Sequence, residues 1–152
     1  MKVNLTQVQK LREITGCGIG DCKKALEEVD GDFDKALEKL KSHGVEIAEK
    51  KSQRTTACGL IESYIHTNNK VGVLLEINCE TDFVARNSEF KALAHDIALQ
   101  IASMEPKNID ELLQQTFIKN PEMTIEKLII EKIAKFGENI KVKRFVRYEL
   151  GE

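Results

Sequence analysis

At 152 residues, with 41% apolar and 32% charged side chains, the chain has room for one ordinary domain, or for a very small domain beside a compact one. A net charge of -2, from acids and bases that are interspersed, argues against nucleic acid as the direct partner, because phosphate binding favours a basic surface. No apolar run nears the length of a membrane span, and MKVNLTQVQK has neither a signal-peptide core nor an Arg-rich transit character, so a cytoplasmic protein is expected.

The first segment reads as three short helices. Thr6 followed by Gln9 is a possible capping box, and Val8, Leu11 and Ile14 or Thr15 then share one face. Gly16, Gly18 and Gly20 break that helix. A second runs from about Asp21 to Val29, with Cys22, Ala25, Leu26 and Val29 on one side. Asp30-Gly31 is a turn signal, Asp32 can cap a third helix carrying Phe33, Leu37 and Leu40, and Gly44 suits its end. A unit of residues 1–45 with so small a core is marginal alone and useful as a recognition module. The polar stretch 46–56, containing EKKSQR, reads as a linker or an exposed helical extension.

From residue 57 to 152 the pattern is that of an α+β core. Leu60 to His66 and Val71 to Cys79 read as strands joined at Asn68-Asn69. In the second strand Val71, Val73, Leu75, Ile77 and Cys79 alternate with a face bearing Leu74. A helical period follows from Phe90 to Ala102, stopped by Pro106. A short helix is expected around Ile109 to Leu113. Thr124 can cap another that turns Ile125, Leu128, Ile129, Ile133 and Phe136 inward and ends at Gly137. Asn139 to Leu150 alternates as a final strand, with Ile140, Val142, Val146, Tyr148 and Leu150 on one face, Arg144 interrupting it, and Phe145 on the other. Without an αβ alternation the economical fold is a small antiparallel sheet of about three strands with helices on one face. Leu74 and Phe145 would then lie on the opposite face, where a partner would cover them.

Individual residues also have plainer readings. Cys17, Cys22, Cys58 and Cys79 form no CxxC pair and have no His at ligand spacing, so free thiols serving as small hydrophobes are expected. His43, His66 and His95 share no motif, and no cofactor or metal site is expected. The three glycines follow a helix rather than a strand, which argues against a phosphate loop. By pattern alone Phe83 is a core residue, Asp82 is a helix cap, and the Lys23-Lys24 and Lys50-Lys51 pairs are solvated faces.

Three segments add a resemblance. LREITGCGIGDCKKALEEVDGDFDKALEKLKSHG, residues 11–44, is similar to the N-terminal module of the elongation factor Ts family, a three-helix unit of the ubiquitin-associated type. KVGVLLEINCETDFVARNSEF, residues 70–90, resembles that family's most distinctive stretch, and GENIKVKRFVRYELGE resembles its final strand. The resemblance implies a non-enzymatic guanine-nucleotide exchange factor for elongation factor Tu. In the family an Asp-Phe pair enters the partner's nucleotide-binding domain near its Mg²⁺ and phosphate site. The matching residues are Asp82 and Phe83, within Thr81-Asp82-Phe83-Val84. The N-terminal contact loop matches Gly18-Ile19-Gly20. Many relatives carry a bulky apolar residue where this chain has Gly20, which implies a weaker grip there, and Cys58 stands where an acid is common. With a single core the chain looks like the short members, so a homodimer through the core sheet is implied. Two other readings compete: an interaction adaptor that leaves the Asp82-Phe83 turn unused, and a small cysteine enzyme, for which no organised base is visible.

Overall fold

A computed structural model describes residues 3–152, as two compact units: the chain up to Gln53 with Ile130–Gly137, and Arg54–Ile129 with Glu138–Glu152. The architecture is α+β. No helix among the described residues is long and apolar enough to cross a membrane.

The first unit opens with α1 (Leu5–Thr15), α2 (Ile19–Glu28) and α3 (Phe33–Lys51). Asn4, rather than the expected Thr6, caps α1, its Oδ1 accepting the Thr6 N–H at 2.9 Å. Gly16 closes α1 in the left-handed region at φ 70°, donating its N–H to the Arg12 carbonyl. Asp32 caps α3 as expected, accepting the Lys35 N–H at 3.2 Å. Val8, Leu11, Cys22, Ala25, Leu26, Ala36 and Leu40 form the core, with Phe33 and Leu37 packed against it.

One expectation fails in α3: Gly44 does not end it. Of the two readings of the stretch that follows, linker or helical extension, the helical extension holds as far as Lys51. The cause is a stripe of period four: Ala36, Leu40, Gly44 and Ala48 are all buried, so the face that packs carries on past the glycine. Glycine's propensity cost of about 1 kcal/mol is outweighed by that burial.

The second unit is built on β1 (Cys58–Ile65), β2 (Val71–Cys79) and β5 (Lys141–Glu149), an antiparallel sheet in the order β1-β2-β5. Asn69 takes the left-handed conformation (φ 59°) in the β1–β2 connection. Between β2 and β5 lie α4 (Asp82–Ala85), α5 (Ser88–Met104), α6 (Ile109–Gln114), the hairpin β3 (Thr116–Phe117) and β4 (Asn120–Thr124), and α7 (Ile125–Phe136), which contributes residues to both units. Val73, Leu75, Ile77 and Cys79 of β2 face Phe90, Leu93, Ala94, Ile97 and Ile101 of α5, and all nine are buried. Thr124 caps α7 through the Lys127 N–H at 3.2 Å. The β3–β4 hairpin has no counterpart in the sequence reading. It is tied down by the buried Gln100 amide, which donates to the Thr116 carbonyl and accepts the Ile118 N–H, both at 3.0 Å.

The parity of the last strand is corrected. Glu76 pairs with Arg144 and Ile77 with Val142, so Lys143 is an extra residue in a β-bulge. Beyond it the alternation is reversed. Phe145, opposite Leu75, and Arg147 point to the packed side, while Val146 and Tyr148 point away with Leu74. The outer face of the sheet thus carries Ile61, Ile65, Leu74, Val146 and Tyr148, all exposed, and Phe145 is not part of it. Arg147 instead closes α5: its Nε and Nη2 both donate to the Ala102 carbonyl at 3.2 Å, and its guanidinium also meets Glu105 and Glu149 at 3.1 Å each.

Candidate functional site

Where β2 ends, the chain turns sharply into α4. Thr81 caps that single turn, its hydroxyl oxygen accepting the Val84 N–H at 3.4 Å, so Asp82 is the first helical residue rather than the cap that pattern alone suggests. Val84 and Ala85 are buried, and they anchor the turn against the sheet. Asp82 is exposed. Phe83 is 90% exposed, which overturns the core reading that its residue type favours. The four residues Thr81 to Val84 are therefore one device: a cap, two projecting side chains and an anchor.

Cys58 and Cys79 lie opposite each other in β1 and β2, directly behind this turn. The Cys79 thiol donates to the Thr81 carbonyl at 3.2 Å. Burial, with the Glu138 carboxylate and Cys58 nearby, pushes its pKa up to about 11. The Cys58 thiol is also pushed up, by desolvation first and then by the Asp82 carboxylate beside it. Neither is a ready nucleophile at neutral pH.

The turn is held from a distant part of the sequence, which local patterns did not flag. Glu138 Oε1 accepts the N–H of Thr81 at 2.9 Å and of Glu80 at 3.1 Å, and its Oε2 accepts the Thr81 hydroxyl at 2.7 Å. In return the Glu80 carboxylate accepts the Asn139 N–H at 2.7 Å and pairs with Arg54 at 3.7 Å. Glu138 stands in the GENIKVKRF segment, but partners 57 and 58 residues away leave no periodic trace.

In the first unit Gly18 is the N-cap of α2, and Ile19 and Gly20 form its first turn, so this segment starts a helix rather than making a loop. All three are exposed, and Ile19 presents a 57% exposed side chain. A Cβ built on Gly20 meets nothing within 4 Å.

A family model described as elongation factor TS matches residues 80–152, which begins at this turn. An elongation factor Ts of Thermotoga maritima is 44% identical over 195 aligned residues, covering 100% of this chain and 98% of the relative. Those of Carboxydothermus hydrogenoformans (44% identical, 95% of this chain and 88% of the relative) and Heliobacterium modesticaldum (42%, 99% and 91%) are similar over comparable spans. The chain belongs to the elongation factor Ts family. Membership places it among the translation elongation factors. These alignments run longer than the chain's own 152 residues, so the elongation factor Ts relatives carry stretches without a counterpart here.

Proposed function

We propose that this chain promotes GDP release from elongation factor Tu, acting as an exchange factor and not as an enzyme that makes or breaks bonds, with no cofactor of its own. One observation carries the reading: the chain displays Phe83, a large apolar ring, almost wholly in water on a turn whose backbone is anchored from both sides. An exposed ring in that setting has its burial energy available for a partner. Displacing a nucleotide requires tighter binding to the empty state than to the loaded one, a coupling that is reciprocal. Phe83 inserts between elements that hold phosphate and Mg²⁺ in the partner. Asp82 accepts hydrogen bonds there or competes electrostatically near the metal. A thousandfold acceleration corresponds to a barrier lowered by roughly 4 kcal/mol.

Two further parts belong to the proposal. Gly18, Ile19 and Gly20 form the second contact on the partner, with Ile19 as its apolar point. The outer sheet face is the homodimer interface: Ile61, Ile65, Leu74, Val146 and Tyr148 give a self-complementary apolar patch that no other element of the unit covers.

Reciprocity gives the test. Mixed with GDP-loaded elongation factor Tu, the protein should yield a nucleotide-free complex on gel filtration, and millimolar GDP should dissolve it. A complex that keeps one GDP per Tu and ignores added nucleotide contradicts exchange and leaves an adaptor.

A further inference from the structure

Phe83 touches almost nothing in its own chain, so packing cannot set its direction; only the backbone beneath it can. That backbone is held at both ends by one relay. Glu138 Oε1 gathers the N–H groups of Glu80 and Thr81. Its Oε2 takes the Thr81 hydroxyl, and the oxygen of that hydroxyl accepts the N–H of Val84, the residue after Phe83. Asp82 and Phe83 are thus bracketed between groups that lead back to a single carboxylate. A helix cap needs one acceptor, and Thr81 supplies it alone. The extra carboxylate, spanning 57 residues of sequence, is more than capping requires. It is itself braced, because the next residue, Asn139, donates its N–H to Glu80 at 2.7 Å and its side-chain amide to the Arg54 carbonyl at 2.9 Å. Charge-assisted bonds of this kind are shorter and stronger than neutral ones.

We infer that Glu138 is a positioning residue for nucleotide exchange, its carboxylate setting the direction in which Asp82 and Phe83 leave the sheet; this rests on the exchange reading above. Glutamine is a graded replacement. Its amide oxygen can still accept both backbone N–H groups, and its NH₂ can donate to the Thr81 oxygen. Alanine keeps none of these bonds.

The test is the rate of fluorescent GDP release from elongation factor Tu, measured against protein concentration for wild type, Phe83→Ala, Glu138→Ala, Glu138→Gln and Thr81→Val. Positioning predicts that Glu138→Ala lowers the maximal rate about tenfold or more, since displacement of a working group by about 1 Å can cost up to about 100-fold. The half-saturating concentration should move less, and Glu138→Gln should recover most of the rate. If Glu138→Ala fails to fold, Thr81→Val still severs the relay between Glu138 and Val84, and a severalfold loss is expected. In the double variant the Thr81→Val loss should be smaller than in the wild-type background, because the two changes share part of one path and only the cap on Val84 remains to lose. Wild-type rates in Glu138→Ala, or in a folded Thr81→Val where the alanine variant does not fold, overturn the inference while Phe83→Ala still abolishes exchange. No acceleration by the wild type would overturn the exchange reading itself, and the positioning role with it.

Discussion

A phenyl ring in water and a thiol in the core mark the two sides of the same turn. Phe83 makes almost no contacts at home, so Phe83→Ala should change the melting temperature little, by less than about 0.5 kcal/mol in stability. It should nevertheless cost more exchange activity than Asp82→Ala. Calorimetry and exchange rates on the two variants check both halves, and equal activity of both variants and wild type contradicts the wedge. Cys79 behaves oppositely. Its thiol is buried and held near pKa 11, against an ordinary value of 9.0. The unfolded thiol ionises first as pH rises, so the folded state is favoured fully below about pH 9 and loses that contribution between about pH 9 and pH 11. Cys79→Ala should flatten the fall of melting temperature over that window, whatever it costs at pH 7. Residue type places Cys79 correctly, as a small hydrophobe on the packed face of β2, but misplaces Phe83 in the core; only the long match around Asp82-Phe83 pointed to a projecting ring.

At the scale of elements, most of the secondary structure follows from local chemistry. Asp32 and Thr124 cap the helices they were expected to cap, and the alternation of Val73, Leu75 and Ile77 picks the packed face of β2 correctly. The failures share a cause, which is tertiary contact overriding local signals. Gly44 is carried inside a helix by burial along its stripe. The bulge at Lys143 reverses the parity of β5, so an alternation read straight through Arg144 assigns Phe145 and Val146 to the wrong sides. Glu138 was invisible because its partners are remote in sequence. One glycine is dictated by the sheet itself. Gly59 in β1 has φ 149°, and a Cβ there would overlap the Ile77 carbonyl oxygen and lie 2.7 Å from the Asn78 Cα. Gly59→Ala should therefore destabilise by about 3 kcal/mol and weaken the β1–β2 pairing beside the turn. Urea denaturation checks it, and a near-neutral result would mean that the strand shifts at no cost.

For the whole molecule, the proposed homodimer makes the outer sheet face the surface to test. Leu74 is half exposed at its centre, flanked by Ser63 on β1 and Val146 on β5, with Ile61, Ile65 and Tyr148 around it. Leu74→Glu should leave the monomer fold intact, because the side chain already meets water, and should turn a dimer into a monomer by sedimentation. A wild-type monomer at high micromolar concentration contradicts the interface. The sequence did place Leu74 on the second sheet face, but it named Phe145 as the companion where the bulge supplies Val146 and Tyr148. Stopped-flow release of fluorescent GDP from elongation factor Tu, with and without this protein, bears most directly on the exchange role. Acceleration on the order of a thousandfold that Phe83→Ala removes is expected. An unchanged release rate at micromolar protein would contradict that role.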